Sequence, residues 1–187
     1  MELNMMNHET ELVQTLLSWG AYRASVIPVD TIEFEPEFRK LCESNACGMY
    51  GRSWMCPPCV GPVDELIAKA KTYRSALVYQ TVDALEDSYD FEGMMEAGKR
   101  MNDITQRVRS ELSEAFGPDV LHLGAGGCRV CSVCAKREDK PCRFPEKALA
   151  SLEAYGINVS RLAELAGMKY INGQDTVTYF GAVLFGR

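Results

Sequence analysis

Eight cysteines lie in two short windows of this 187-residue chain and nowhere else. The first window is Cys42-x4-Cys47-x8-Cys56-x2-Cys59, and the second is Cys128-x2-Cys131-x2-Cys134-x7-Cys142. A lone buried cysteine is a small hydrophobe, but random placement does not gather eight into two windows. Thiolates are metal ligands, and Cys-x-x-Cys spacing presents two of them to one centre. Three cysteines at intervals of three, then a remote fourth, resemble the ferredoxin-type run that wraps one cubane. Zinc more often takes two separated pairs around a single tetrahedral ion. The spacing therefore favours iron–sulfur clusters, two of the [4Fe–4S] type, with zinc as the alternative. The last interval is longer than in ferredoxins, and the proline (Pro145) lies three residues beyond Cys142.

Disulfides are the competing use of eight thiols. The N-terminal run MELNMMNHETELVQTLL has no basic region and no small-residue cleavage site, so it does not read as a signal peptide. A cytoplasmic chain is expected, and there thiols stay reduced.

The surroundings of both windows fit close wrapping of an anionic centre. Gly124, Gly126 and Gly127 precede Cys128, and Gly48 and Gly51 lie in the first window, where positive φ and close backbone approach come cheaply. Between 129 and 143 stand Arg129, Lys136, Arg137, Lys140 and Arg143 against Glu138 and Asp139 alone. That excess serves either to offset cluster charge or to dock an acidic redox partner, or it is a solvated loop. Pro62 and Pro145 each read as the start of a helix, whose free N–H groups favour negative charge. Trp54 and Tyr50 are placed to shield the first site from water.

The elements that must position these loops follow from periodicity. Residues 9–19 have helical spacing and stop at Gly20; Ala24 to Val29 reads as a strand. A helix over 62–73 is expected, then a strand over 75–82. The clearest element is a helix over 91–116, in which Met94, Ala97, Met101, Ile104, Val108, Leu112 and Phe116 share a face and Gly117 ends it. Its methionines read as core. Val120 to Leu123 is strand-like. A helix from Pro145 to Gly156 and another capped by Ser160 and closed by Gly167 follow. Met168–Ile171 and Asp175–Phe185 flank Asn172-Gly173 as a hairpin. The expected class is α+β: one domain over 1–187, a mixed sheet covered by helices, with two cysteine-rich metal-binding loops. A ferredoxin-like βαβ arrangement is one candidate topology.

Several functions are set aside. A net charge of −6 argues against nucleic acid as a partner. No apolar run is long enough to span a bilayer. The acidic stretch Asp83, Glu86, Asp87, Asp90, Glu92, Glu96 lacks calcium-loop spacing and reads as a solvated turn and a helix's first turn. His8 and His122 belong to no nucleophile motif, and His122 reads as structural. GAGG at 124–127 leads into cysteines rather than a helix, so it is no phosphate cradle.

The segments CESNACGMYGRSWMCPP, LEDSYDFEGM, GGCRVCSVCAKREDKPCRFPEKALASLEAYGINV and YINGQDTVTYFGAVLF resemble the domain-of-unknown-function 2284 family. That family is catalogued as predicted metal-binding proteins, largely from anaerobic bacteria and archaea. The resemblance covers the chain beyond about residue 20 and implies a metal site. It carries over Cys42, Cys47, Cys56, Cys128, Cys131, Cys134 and Cys142, whereas Cys59 follows CPP where a small residue is expected in many relatives. If Cys59 ligates, both centres have four thiolates and suit electron transfer to a protein redox partner. If it does not, the first site has an open iron, and an enzyme becomes the reading. A zinc-stabilised interaction module is the third.

Overall fold

The computed structural model describes residues 2–117 and 119–187. Among them the elements run α1 (Glu2–Ser18), β1 (Arg23–Pro28), α2 (Phe38–Glu43), α3 (Val63–Ala70), β2 (Ser75–Ala84), α4 (Phe91–Glu111), α5 (Ser113–Phe116), β3 (Leu121–Gly124), β4 (Ala150–Ser151), α6 (Val159–Leu165) and β5 (Thr176–Phe185). The fold is α+β, built on one mixed five-stranded sheet.

The sheet order is β1-β2-β5-β3-β4. Its pairings are antiparallel except β3 with β4, which run parallel. β2 and β3 both run antiparallel to the β5 between them, so β2–α4–β3 is a split βαβ unit of the ferredoxin-like kind. The remainder departs from that arrangement: β1 comes first in the chain, and β4 extends the far edge.

β2 is apolar on both sides because both its faces are covered. Ala76 and Val78 join α3 and α6 residues in one core cluster, with Leu66, Ala70, Leu162 and Ala163. Leu77 and Tyr79 join the other, with Leu12 and Leu16 of α1 and Met101, Ile104 and Val108 of α4. The sheet is thus the middle of three layers. α1 ends as its sequence requires: Gly20 sits at φ +99°, and the Ala21 N–H reaches back to the Leu16 carbonyl at 3.0 Å. Gly181 of β5 lies beneath the Tyr79 ring, where an added Cβ would come within 2.5 Å of Cζ.

Several expected elements take another form. No helix starts at Pro145; residues 148–150 are buried, and Ala150–Ser151 pairs with Leu123–Gly124 as an edge strand. A short 3-10 turn (Glu153–Tyr155) then ends at Gly156, φ +71°. Sheet pairing outbids the local propensity of the run from Pro145. No hairpin forms at Asn172-Gly173, since 168–171 makes no strand and β5 pairs instead with β2 and β3. Asn158, not Ser160, caps α6, accepting from the Arg161 N–H at 3.3 Å. The Ser160 hydroxyl donates to that same cap oxygen. Pro62 is the N-cap of α3 rather than its first residue. The long helix stops at Glu111, and Gly117 (φ +84°) closes the short α5 after it.

Candidate metal centre

Both windows lie in chain with little regular structure. The first begins on α2, which carries Cys42, and continues through turns as far as α3. The second fills the connection from β3 to β4, with one 3-10 turn, Ala135–Glu138. All eight thiols are free. Gly48, Gly51 and Gly126 adopt positive φ as expected, while Gly124 belongs to β3.

The two windows are packed against each other along a seam at residues 53–56. Ser53 is 1% exposed; its hydroxyl accepts from the Met55 N–H at 3.2 Å, it shares a cavity lining with Cys134, and it acts to lower the pKa of both Cys56 and Cys134. The Trp54 indole donates to the Lys140 carbonyl at 2.9 Å, and the Lys136 ammonium lies 4.8 Å from its ring centre. Trp54 therefore joins the windows rather than capping the first alone. Gly127 passes so near Cys56 that an added Cβ would lie 3.6 Å from its sulfur.

Cys42, Cys47 and Cys56 form one neighbourhood. Burial pushes the Cys42 thiol up against the opposing pull of Arg39, with Cys47 adding to the rise. Burial also raises Cys56 against the Ser53 hydrogen bond, and Cys47, Cys42 and Cys128 raise it further. Cys128, Cys131, Cys134 and Cys142 together line a second neighbourhood, a cavity of about 20 Å³ closed by Ser53, Trp54 and Met55. At Cys134 burial raises the pKa, but the N–H groups of Lys136 and Trp54, the Ser53 hydroxyl and Arg143 outweigh it, and the thiol lies below its ordinary value. Those groups stabilise a thiolate. Cys59 lies near Lys136 of the second window, whose pKa is raised mainly by Asp139 and least by Cys59. Cys128 thus stands between the two sulfur groups.

Arg39 tests whether an anionic group suits the first neighbourhood. Its side chain is buried beside Cys42 and donates to the Gly61 and Ala154 carbonyls at 2.8 and 3.3 Å. Its Nε has no partner, and among the described residues it makes no ion pair. A buried guanidinium without a carboxylate is costly unless negative charge lies near, and a thiolate-held centre supplies it. The donor set fits a metal group. Among the described residues, no three His, Cys, Asp or Glu side chains converge closely enough to hold one bare ion as they stand.

Sequence reasoning missed Arg39 and Ser53. Neither had a signal, because an arginine three residues before a cysteine and a serine in a loop are ordinary. The helix dipole expected at Pro145 does not exist, and at Pro62 the first turn of α3 already carries Asp64 and Glu65. Side chains and loop amides, not helix ends, supply the polarity here. The acidic stretch is likewise more ordered than expected: Arg100 grips Asp83 at 2.6 Å, and Asp90 caps α4. His122 is buried and shares a 2.7 Å hydrogen bond with Tyr79.

A family model described as "Predicted metal-binding protein (DUF2284)" matches residues 25–185. No curated protein and no solved structure matches the chain.

Proposed function

The chain belongs to the DUF2284 family of predicted metal-binding proteins, and on that premise we propose that its cysteines hold two [4Fe–4S]-type clusters that pass single electrons to a protein partner. The observation that carries the reading is the seam: Ser53, Trp54 and Met55 of the first window line one cavity with Cys128, Cys131, Cys134 and Cys142, and Gly127 passes beside the Cys56 sulfur, so two sulfur groups share a wall. Cys128, Cys131, Cys134 and Cys142 hold the second centre and Cys42, Cys47 and Cys56 the first; Cys59, three residues after Cys56 but on the Lys136 side of the seam, is the candidate fourth thiolate of the first. Centres that share a wall exchange electrons readily, which suits a relay more than an isolated structural staple. When bound, such clusters take up or release one electron each, at potentials set by hydrogen bonds to sulfur and by burial. Ser53, Arg39 and the amides at Cys134 are the groups that tune them here.

A single tetrahedral zinc draws its sulfurs to about 2.3 Å from one point. The run Cys128, Cys131, Cys134 with the remote Cys142 suits a multinuclear centre better than it suits two separated pairs around one ion. No helix among the described residues is long and apolar enough to cross a membrane, and cytoplasmic residence goes with reduced thiols.

The test is anaerobic purification with iron and sulfide analysis and electron paramagnetic resonance of the reduced protein. Equal iron and sulfide with two magnetically interacting centres is the expected result; colourless protein with stoichiometric zinc rejects it. Cys59→Ser should remove the iron of the first centre. Unchanged iron would leave three thiolates there and turn the first site into an open-iron enzyme.

A further inference from the structure

One face of the second window opens onto a cleft of about 480 Å³, with α4 and Met49 of the first window as its other walls. Lys99 enters it from α4, and Arg129 and Arg137 from the second window. No carboxylate lines it. Of the other basic residues nearby, Lys136 pairs with Asp139, Lys140 with Glu138 and Arg100 with Asp83. Lys99, Arg129 and Arg137 form no ion pair among the described residues. The basic excess of this loop therefore resolves into two neutralised surface pairs, Arg143, which donates to the Val133 carbonyl at 2.9 Å, and two unpaired arginines that face one concavity with Lys99 of α4.

Arg129 has a prepared seat. Its guanidinium lies against Gly98 in the middle of α4, where an added Cβ would come within 2.8 Å of Nη1, and 5.8 Å from the Tyr179 ring centre. Glycine inside a helix weakens it, so a glycine there that admits an arginine is a position with a use. Asn102 and Ser132 add polar groups to the lining, and Met49 and Met95 add apolar ones.

We propose that this cleft binds a small organic dianion, a dicarboxylate or a phosphate ester, beside the centre held by Cys128, Cys131 and Cys134. Two guanidinium forks and an ammonium match two anionic groups, because arginine binds carboxylate and phosphate in a bidentate way. The methionines cover a short carbon body. Cys128, Cys131 and Cys134 also line this cleft, so the metal centre takes its inner part and the anion the outer part beside Lys99, Arg129 and Arg137. A docked protein would meet cations on a convex face, whereas these converge into a hollow from two segments. The inference stands apart from the electron-transfer reading, since the binding measurement is the same whichever metal the thiols carry.

The experiment is calorimetric titration of the metal-loaded, full-length protein with succinate, with glycerol phosphate and with the neutral analogue succinamide. Saturable binding of either anion and none of succinamide is expected; which anion binds more tightly identifies its chemistry. Arg129→Gln with Arg137→Gln should weaken binding about tenfold or more without changing metal content. Gly98→Ala gains helix propensity and stays folded, yet it unseats Arg129 and should weaken binding several-fold, to a degree between wild type and the double variant. The proposal is overturned if neither anion saturates by about 10 mM, if succinamide binds equally, or if the variants bind as wild type does. Variants that shift only the reduction potential of the metal centre would show that the cations serve that centre alone. Binding of an acidic protein but of neither small anion would show a docking surface instead, and would equally refute the idea.

Discussion

At the scale of single residues, several polar groups in this protein stand where burial makes them expensive, and Ser53, Arg39 and His122 have visible partners there. Ser53 acts on the thiols of both windows, and Arg39 is held by the Gly61 and Ala154 carbonyls while its Nε has no partner. His122 illustrates the same economy away from the thiols. Burial, helped by Arg109, pushes its pKa down from 6.5 to about 3. Folded protein keeps the ring neutral, whereas the unfolded chain takes up a proton below about pH 6.5. Its contribution is therefore whole above that pH and is lost as pH falls from about 6.5 toward 3, at up to about 1.4 kcal/mol per unit. Urea unfolding at neutral pH and near pH 5.5 should show a steeper loss for wild type than for His122→Gln; parallel losses would contradict this account.

At the scale of elements, close approach dictates where glycine stands. Tyr79 lies across Gly181, and its hydroxyl reaches Thr105 of α4 and His122 of β3, tying the sheet to its covering helix. Gly181→Ala would press a methyl group to within 2.5 Å of a fully buried ring that has no room to swing away. A loss of about 1–3 kcal/mol is expected in chemical denaturation. An unchanged midpoint would mean that the β5 backbone yields there at no cost. Gly98 is the opposite case, since the atom it faces is the tip of a flexible arginine, so alanine there moves a side chain rather than a strand.

Across the whole molecule, the sheet with its two apolar faces and the cysteine windows are held by different forces. The sheet is closed by two buried hydrophobic clusters. Residues 44–61 and 125–149 have few backbone pairings of their own and meet chiefly through Ser53, Trp54 and the sulfurs. Metal removal by a chelator under reducing conditions should therefore open these segments first, because metal binding supplies local folding energy. Limited proteolysis is expected to cut within 44–61 and 125–149 while far-ultraviolet circular dichroism keeps most of its helical signal. Loss of the sheet in the same step would show that the metal centres hold up the entire fold.

The sequence by itself determined the thiol inventory, the core faces of α1 and α4, the strand over 75–82 and the α+β class. These follow from residue type and period, which act locally. It could not determine that the run after Pro145 becomes an edge strand, or that 168–171 stays out of the sheet. Those outcomes depend on which strand edge is available, and only the folded chain decides that. The same holds for the site. Spacing grouped the cysteines into two windows, but tertiary packing set Cys128 beside Cys56, brought Cys59 near Lys136, and gathered Lys99, Arg129 and Arg137 around one cleft. Residues far apart in sequence meet because the sheet order brings their loops to one end, and no local pattern records that meeting.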